Sequence, residues 1–181
     1  MYSRPYHSRL ISACFLLAAL ALFSALSLSA QEKGGESLIG KAAPELALKD
    51  INGKDFRLSA LKGKVVLLEF WATWCPDCRE VLPSMQELFT KYTGKGLEVA
   101  AVSIEVKTEA VRPFLVKNGY TFPVLLADRK ADDLKKTFRA NRIPTAWLID
   151  RKGIIRAGYV EYGEKGAPEV EAQIVKLLGE K

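Results

Sequence analysis

Two cysteines separated by two residues, Cys75 and Cys78, are the most reactive pairing in this 181-residue chain. They stand in Trp74-Cys75-Pro76-Asp77-Cys78, after an apolar run and before a stretch with helical periodicity. A helix start supplies unpaired N–H groups and the positive end of the helix dipole, so a thiolate at Cys75 is stabilised there. Pro76 suits the first helical turn, where its missing N–H is no loss. Cys78 comes round the same turn and can close a disulfide with Cys75. The chemistry on offer is thiol–disulfide exchange, with Cys75 as the attacking thiolate and Cys78 as the resolving thiol. A disulfide that merely pins the turn is the alternative, but so short a loop adds little stability by constraining the unfolded chain.

Composition removes most competing chemistries. The chain is 49% hydrophobic and 27% charged, with a formal net charge of +6, which is globular composition. The single histidine, His7, and the third cysteine, Cys14, both lie within the first 30 residues. Beyond them no Ser-His-Asp or Cys-His nucleophile pair can be assembled, and no His-ligated metal site. Two thiols also fall short of the ligand set of a zinc ribbon. No metal and no organic cofactor is expected. The modest positive balance lacks interleaved basic and aromatic residues, so nucleic acid is not an expected partner.

Within residues 1–30 the only charges are Arg4 and Arg9, and residues 10–30 are uncharged and almost wholly apolar. A basic stretch, an apolar stretch and the small residues Ser27, Ser29 and Ala30 read as an export signal. The apolar run, of about 21 residues, is also long enough to cross a bilayer. Residues 1–30 are therefore a signal peptide or an N-terminal membrane anchor, with membrane association through residues 10–30 in the second case. Both place the body outside the cytoplasm, in the periplasm or at the outer face of the cytoplasmic membrane, where an exposed thiol pair is normally oxidised. Residues 31–39 are polar and glycine-containing, a linker, and 40–181 read as one domain.

The elements that must position the cysteines follow from period and length. Residues 64–72 (KVVLLEFWA) form a near-continuous apolar run, as expected for a strand covered on both faces. A helix is expected over 76–92, because Val81, Leu82, Met85, Leu88, Phe89 and Tyr92 recur at helical spacing before Gly94 and Gly96. Residues 97–104 read as a second buried strand, completing a parallel βαβ unit. Two alternating runs around Asn52-Gly53, within 45–58, read as a hairpin. Further on, 108–118 reads as a helix with Pro113 near its start, 122–126 as a short strand and 132–138 as a short helix. Residues 145–150 are strand-like and turn through Arg151-Lys152-Gly153 into 154–159. Val170, Ile174, Leu177 and Leu178 mark a final amphipathic helix. The fold class is α/β: a mixed central sheet with helices on both faces and an N-terminal hairpin extension.

Phe70-Trp71-Ala72-Thr73-Trp74-Cys75-Pro76-Asp77-Cys78-Arg79 resembles the active-site segment of the thioredoxin superfamily, above all the extracytoplasmic TlpA/ResA/CcmG-like thiol:disulfide oxidoreductases of the AhpC/TSA-redoxin group. Ile143-Pro144-Thr145 is similar to their cis-proline loop, and Leu148-Ile149-Asp150 with Lys152-Gly153 to the strand and turn that follow. Gly40-Lys41-Ala42-Ala43-Pro44 and Leu61-Lys62-Gly63-Lys64 also fit, so the similarity spans about residues 38–178. The resemblance implies a thioredoxin-like three-layer fold and a redox-active Cys75–Cys78 disulfide. It implies a cis bond before Pro144, with the Ile143 backbone pairing with an extended substrate segment, and Trp74 and Pro76 beside it. Implied partners are disulfide-containing substrate proteins, whether an apocytochrome c, a copper-site protein or a broader set. For a reductant they include a membrane electron donor of the DsbD/CcdA type. A non-catalytic thioredoxin-fold partner-binding or assembly protein is the alternative from another class.

Three features depart from or extend the family pattern. Glu69, six residues before Cys75, shares a strand face with Val65 and Leu67, where an unpaired carboxylate is costly. It stands where cytoplasmic thioredoxins carry a buried Asp thought to move protons to and from the second cysteine. The lysine that accompanies that acid is matched here by Ala101, so Glu69 is expected to titrate high. Relatives often read C-R-x-E-x-P, whereas this chain has Val81 at the acidic position and Glu80 on another side of the helix. Finally, Arg129, Lys130, Lys135, Lys136, Arg139 and Arg142 form a basic run before the proline loop, read as a solvated face or a rim that steers acidic partners. A peroxiredoxin motif is excluded, because Thr73 is two residues before Cys75 and not three. A Sco-type copper site would need wider cysteine spacing and a histidine.

Overall fold

The computed structural model describes residues 38–180, so the signal or anchor expected in 1–30 lies outside the described residues. Seven strands make one sheet: β1 (Ala47–Asp50), β2 (Asp55–Arg57), β3 (Val65–Trp71), β4 (Leu97–Ser103), β5 (Val124–Leu126), β6 (Thr145–Ile149) and β7 (Ile155–Val160). The helices are α1 (Pro76–Tyr92), α2 (Val111–Asn118), α3 (Ala131–Thr137) and α4 (Gly163–Gly179). The strand order is β2-β1-β5-β4-β3-β6-β7. The three middle strands, β5, β4 and β3, run parallel, and antiparallel pairs flank them.

β3 shows why its sequence lacks alternation: all seven of its residues are buried. Parallel strands covered on both faces read as continuous apolar runs. Its side chains still alternate between two layers. On one face Trp71 packs against Phe114 of α2, with ring centroids 5.7 Å apart, and Glu69 meets Tyr162 just before α4. Lys91 and Tyr92 of α1 both donate to the Glu171 carboxylate of α4, at 2.6 Å, closing the two long helices over this face. On the other face Phe70 packs against Phe138 at the end of α3, 5.3 Å between centroids, and Trp147 Nε1 donates to the Phe138 carbonyl. Helix, sheet and helix make the expected three layers.

The hairpin forms where Asn52-Gly53 signals it, but with a loop of residues 51–54 instead of a two-residue turn. The Asp50 carboxylate captures the N–H groups of Asn52 and Lys54 at 2.8 and 2.9 Å, and Gly53 takes φ +82°. Such an Asx-type cap competes with a tighter turn. β1 then pairs antiparallel with β5, leaving β2 as the edge strand. β5 begins later than expected, beyond Pro123, which has no N–H for a ladder. α4 begins at Gly163, ahead of the apolar positions that mark it, with Pro168 in its early turns. Among the described residues no helix is long and apolar enough to cross a membrane.

Candidate active site

The cysteine pair sits where the central strand β3 gives way to α1. Cys75 is the residue before the helix, in extended conformation, and Pro76 opens the first turn. The Cys78 N–H donates to Cys75 Sγ at 3.1 Å, using one of the donors that a helix start leaves free. The two cysteines form a disulfide with their Cα atoms 5.3 Å apart. Cys75 is 4% exposed and Cys78 fully buried, so only the first sulfur is within reach of a partner. Pro76 and Asp77 lie exposed beside it.

A second segment closes on the pair from β6. The Ile143–Pro144 bond is cis, as the resemblance implies. The Ile143 carbonyl oxygen lies 3.7 Å from Cys75 Sγ, in reach of a thiol proton once the disulfide is reduced. Pro144 is buried and Ile143 half-buried. Trp74 stands at the rim, 59% exposed. Together with Ile143, Glu105, Val106, Lys107 and Lys135 it lines a cleft of about 440 Å³. A larger cavity, about 720 Å³, lies against the β1–β2 hairpin and shares none of these residues.

The loop that carries Trp74 is held by a carboxylate that sequence reasoning missed. Glu105, buried just after β4, accepts from the Thr73 N–H at 2.7 Å and from the Thr73 hydroxyl at 2.5 Å. Arg79 Nε donates to the Thr73 carbonyl at 2.8 Å from the other side. The contacts join residues 32 apart, and no local pattern in the sequence marks them.

Glu69 is fully buried within β3. Its neighbours across the sheet are Ala101 of β4 and Ala146 of β6, neither of which offers charge. Among the described residues its one hydrogen bond comes from the Tyr162 hydroxyl, 2.9 Å from Oε2, and Oε1 has no partner. Burial pushes its pKa up to about 8, against the pull of the Tyr162 hydrogen bond. Glu69 lies on the sheet face that α1 and α4 cover, the face into which Cys78 is buried. Val81 is buried in α1, and Glu80 is exposed.

The basic run is partly neutralised. Lys135 pairs with Asp132 at 2.7 Å, Arg142 with Glu161 at 2.8 Å, and Lys130 donates to the Ala47 carbonyl. Pairs this exposed contribute little energy, but they reduce the field a partner would meet. Among the described residues no group of three or more His, Cys, Asp or Glu is placed to hold a metal.

Comparison with known proteins agrees with this geometry. The AhpC/TSA family matches residues 39–158. The chain is 36% identical over 139 residues to the thiol-disulfide oxidoreductase ResA of Bacillus thuringiensis, covering 77% of this chain and 78% of that one. A crystal structure from Chlorobium tepidum, assigned to thiol:disulfide interchange protein DsbE, superposes with a TM-score of 0.72. It is 35% identical and covers 78% of this chain and 98% of its own. StoA of Bacillus subtilis superposes with a TM-score of 0.60 at 27% identity, over 72% of this chain and 96% of its own.

Proposed function

The chain belongs to the AhpC/TSA family and is a thiol:disulfide oxidoreductase, and from that premise we propose that it works as a reductant outside the cytoplasm. The observation that carries the reading is the asymmetry of the pair: Cys75 at a helix start and 4% exposed, Cys78 on the next turn and fully buried. The Cys75 thiolate attacks one sulfur of a disulfide in a substrate protein. A Cys75–substrate disulfide forms and the substrate's other sulfur leaves as a thiolate. Cys78 then loses its proton and attacks Cys75, so that the Cys75–Cys78 bond forms and the second substrate sulfur is released. The two substrate thiolates take up protons. The substrate gains two electrons and the dithiol loses them.

Glu69 is the group that takes the Cys78 proton in the second step. Its burial on the same face and its raised pKa support the role, since a base that titrates near the working pH is most effective. Ile143 and Pro144 seat an extended substrate segment, and Trp74 and Pro76 border it. The cleft that Trp74 and Ile143 line and the position of the Ile143 carbonyl at Cys75 support that placement. Residues 1–30 act as export signal or membrane anchor, 31–39 as linker and 40–181 as the thioredoxin-like domain. A membrane donor of the DsbD/CcdA type returns electrons to the pair, as a reductant in an oxidising compartment requires. Alkylation trapping in the native host tests the reading. The pair is expected to be mostly reduced and to become oxidised when the membrane donor is removed. A pair found oxidised in both conditions overturns the reducing direction.

A further inference from the structure

Glu69 is buried with a single polar contact, and that contact comes from outside the motifs that mark the active site. Tyr162 lies 93 residues further on, at the corner between β7 and α4. The corner is tied to the substrate loop. The Glu161 N–H donates to the Pro144 carbonyl at 2.7 Å, and the Glu161 carboxylate pairs with Arg142 at 2.8 Å. Glu161 takes φ +49° and Gly163 φ +56° to make the bend, after which Tyr162 turns its hydroxyl inward to Glu69. Room for the ring is left by Gly166 on the next turn of α4. A Cβ there would lie 2.9 Å from Tyr162 Cβ and 3.0 Å from Cδ2, closer than such atoms normally come.

We propose that Tyr162 is a positioning residue for the resolution step: its hydroxyl orients the Glu69 carboxylate and governs how readily that carboxylate exchanges the Cys78 proton. The inference rests on Glu69 taking that proton. A buried carboxylate is stabilised by the donors it accepts from, and two or three backbone N–H groups can hold one ionised far below its ordinary range. Among the described residues Glu69 has one donor, so Tyr162 is the only lever there besides burial. The groups that face Glu69 from each packed element leave no other candidate. β4 and β6 present Ala101 and Ala146, and α2 presents Phe114 and no charge. The buried α1 residues are apolar apart from Cys78 and Tyr92, and the Tyr92 hydroxyl is taken by Glu171 of α4. Behind Tyr162 stands Tyr159, ring centroids 5.9 Å apart, with Glu169 of α4 acting on it. Burial and the Glu69 charge raise the Tyr162 phenol well above 10, so it remains a neutral donor throughout the working range.

The donor favours ionised Glu69, so removing it moves the titration upward. The test uses the full-length protein carrying a Cys75–glutathione disulfide. Its decay is followed by rapid quench and mass spectrometry from pH 5.5 to 9.5, and the Glu69 carboxyl band by infrared spectroscopy over the same range. The wild type is expected to resolve faster as pH rises through the Glu69 titration, and Glu69→Gln to lose that inflection. Tyr162→Phe keeps the ring and is expected to raise both the rate inflection and the infrared midpoint by about one pH unit, with resolution at pH 7 slowed several-fold. Gly166→Ala keeps the hydroxyl, displaces the ring and is expected to shift both readouts in the same direction. It also decides the matter if Tyr162→Phe folds poorly. Tyr162→Phe combined with Glu69→Gln should behave as Glu69→Gln alone. An inflection that survives in Glu69→Gln overturns the role of Glu69, and that of Tyr162 with it. Loss of the inflection in Glu69→Gln, with both readouts unmoved in Tyr162→Phe and Gly166→Ala, overturns the role of Tyr162 alone.

Discussion

The division of labour between the sulfurs is a matter of single residues. Cys75 is the less buried one, at the helix start, so Cys78→Ser should accumulate mixed disulfides with substrate proteins and Cys75→Ser should not. Non-reducing gels after acid quench check this, and equal trapping by both variants would refute the assignment. Glu69 carries a second expectation, in stability. In the unfolded chain its carboxyl titrates near 4.5, and in the folded protein near 8. The folded state therefore holds a proton that the unfolded state has released, and stability falls as pH rises from about 4.5 to about 8. Glu69→Gln removes this loss, so its advantage over the wild type should be small at pH 4.5 and grow to a few kcal/mol at pH 8. Urea unfolding at both pH values measures it, and a difference independent of pH would mean that the acid is not titrating in the fold. Strand parity revealed Glu69 as an inward-facing acid, and the family resemblance, matching the usual lysine to Ala101, revealed that it has no lysine beside it. The sequence could not reveal Tyr162, because no periodicity relates residues that meet across a β7–α4 corner. Glu105 was hidden for the same reason.

Among the elements, β3, α1 and β4 were legible because their apolar patterns are long and their boundaries are set by glycine and proline. The shorter pieces were less so. The Asp50 side chain lengthens the hairpin loop beyond what Asn52-Gly53 alone signals, and Pro123 postpones β5. Gly158 in β7 is a case where a strand glycine has a packing reason. It pairs with Trp147 of β6, and a Cβ at 158 would lie 2.8 Å from Trp147 Cε3 and closer still to Cζ3. The indole lies flat over the glycine and is fixed at its far side by the Nε1 bond to the Phe138 carbonyl. It cannot retreat without breaking that bond. Gly158→Ala should thus destabilise the fold by about 1–3 kcal/mol, the usual cost of overpacking a well-filled site. The lowered urea midpoint should come with an unchanged denaturant slope, since the unfolded surface is the same. A midpoint equal to the wild type would show that the strand can move away from the ring.

The reduction potential belongs to the whole molecule, since it compares the folded protein with and without the Cys75–Cys78 bond. Whatever stabilises the reduced form, chiefly its thiolate, makes the couple more oxidising. The start of α1 contributes in that direction, through its dipole and through the Cys78 N–H at Cys75 Sγ. Asp77 acts against it by placing a carboxylate between the cysteines. That carboxylate is exposed and therefore screened, so its effect is modest. Glu69, when ionised, adds a second negative charge on the side of Cys78, which also disfavours a thiolate. No histidine lies beyond residue 30 to reverse the balance. Thioredoxin, with a thiolate pKa near 7, sits at about −270 mV, and DsbA, with one near 3.5, at about −120 mV. This protein should fall nearer the first. Equilibration against glutathione buffers measures the value, and Asp77→His should raise it toward the oxidising end. A wild-type potential above about −180 mV, the poise of an isomerase, would make the pair an oxidant and reverse the proposed direction of electron flow.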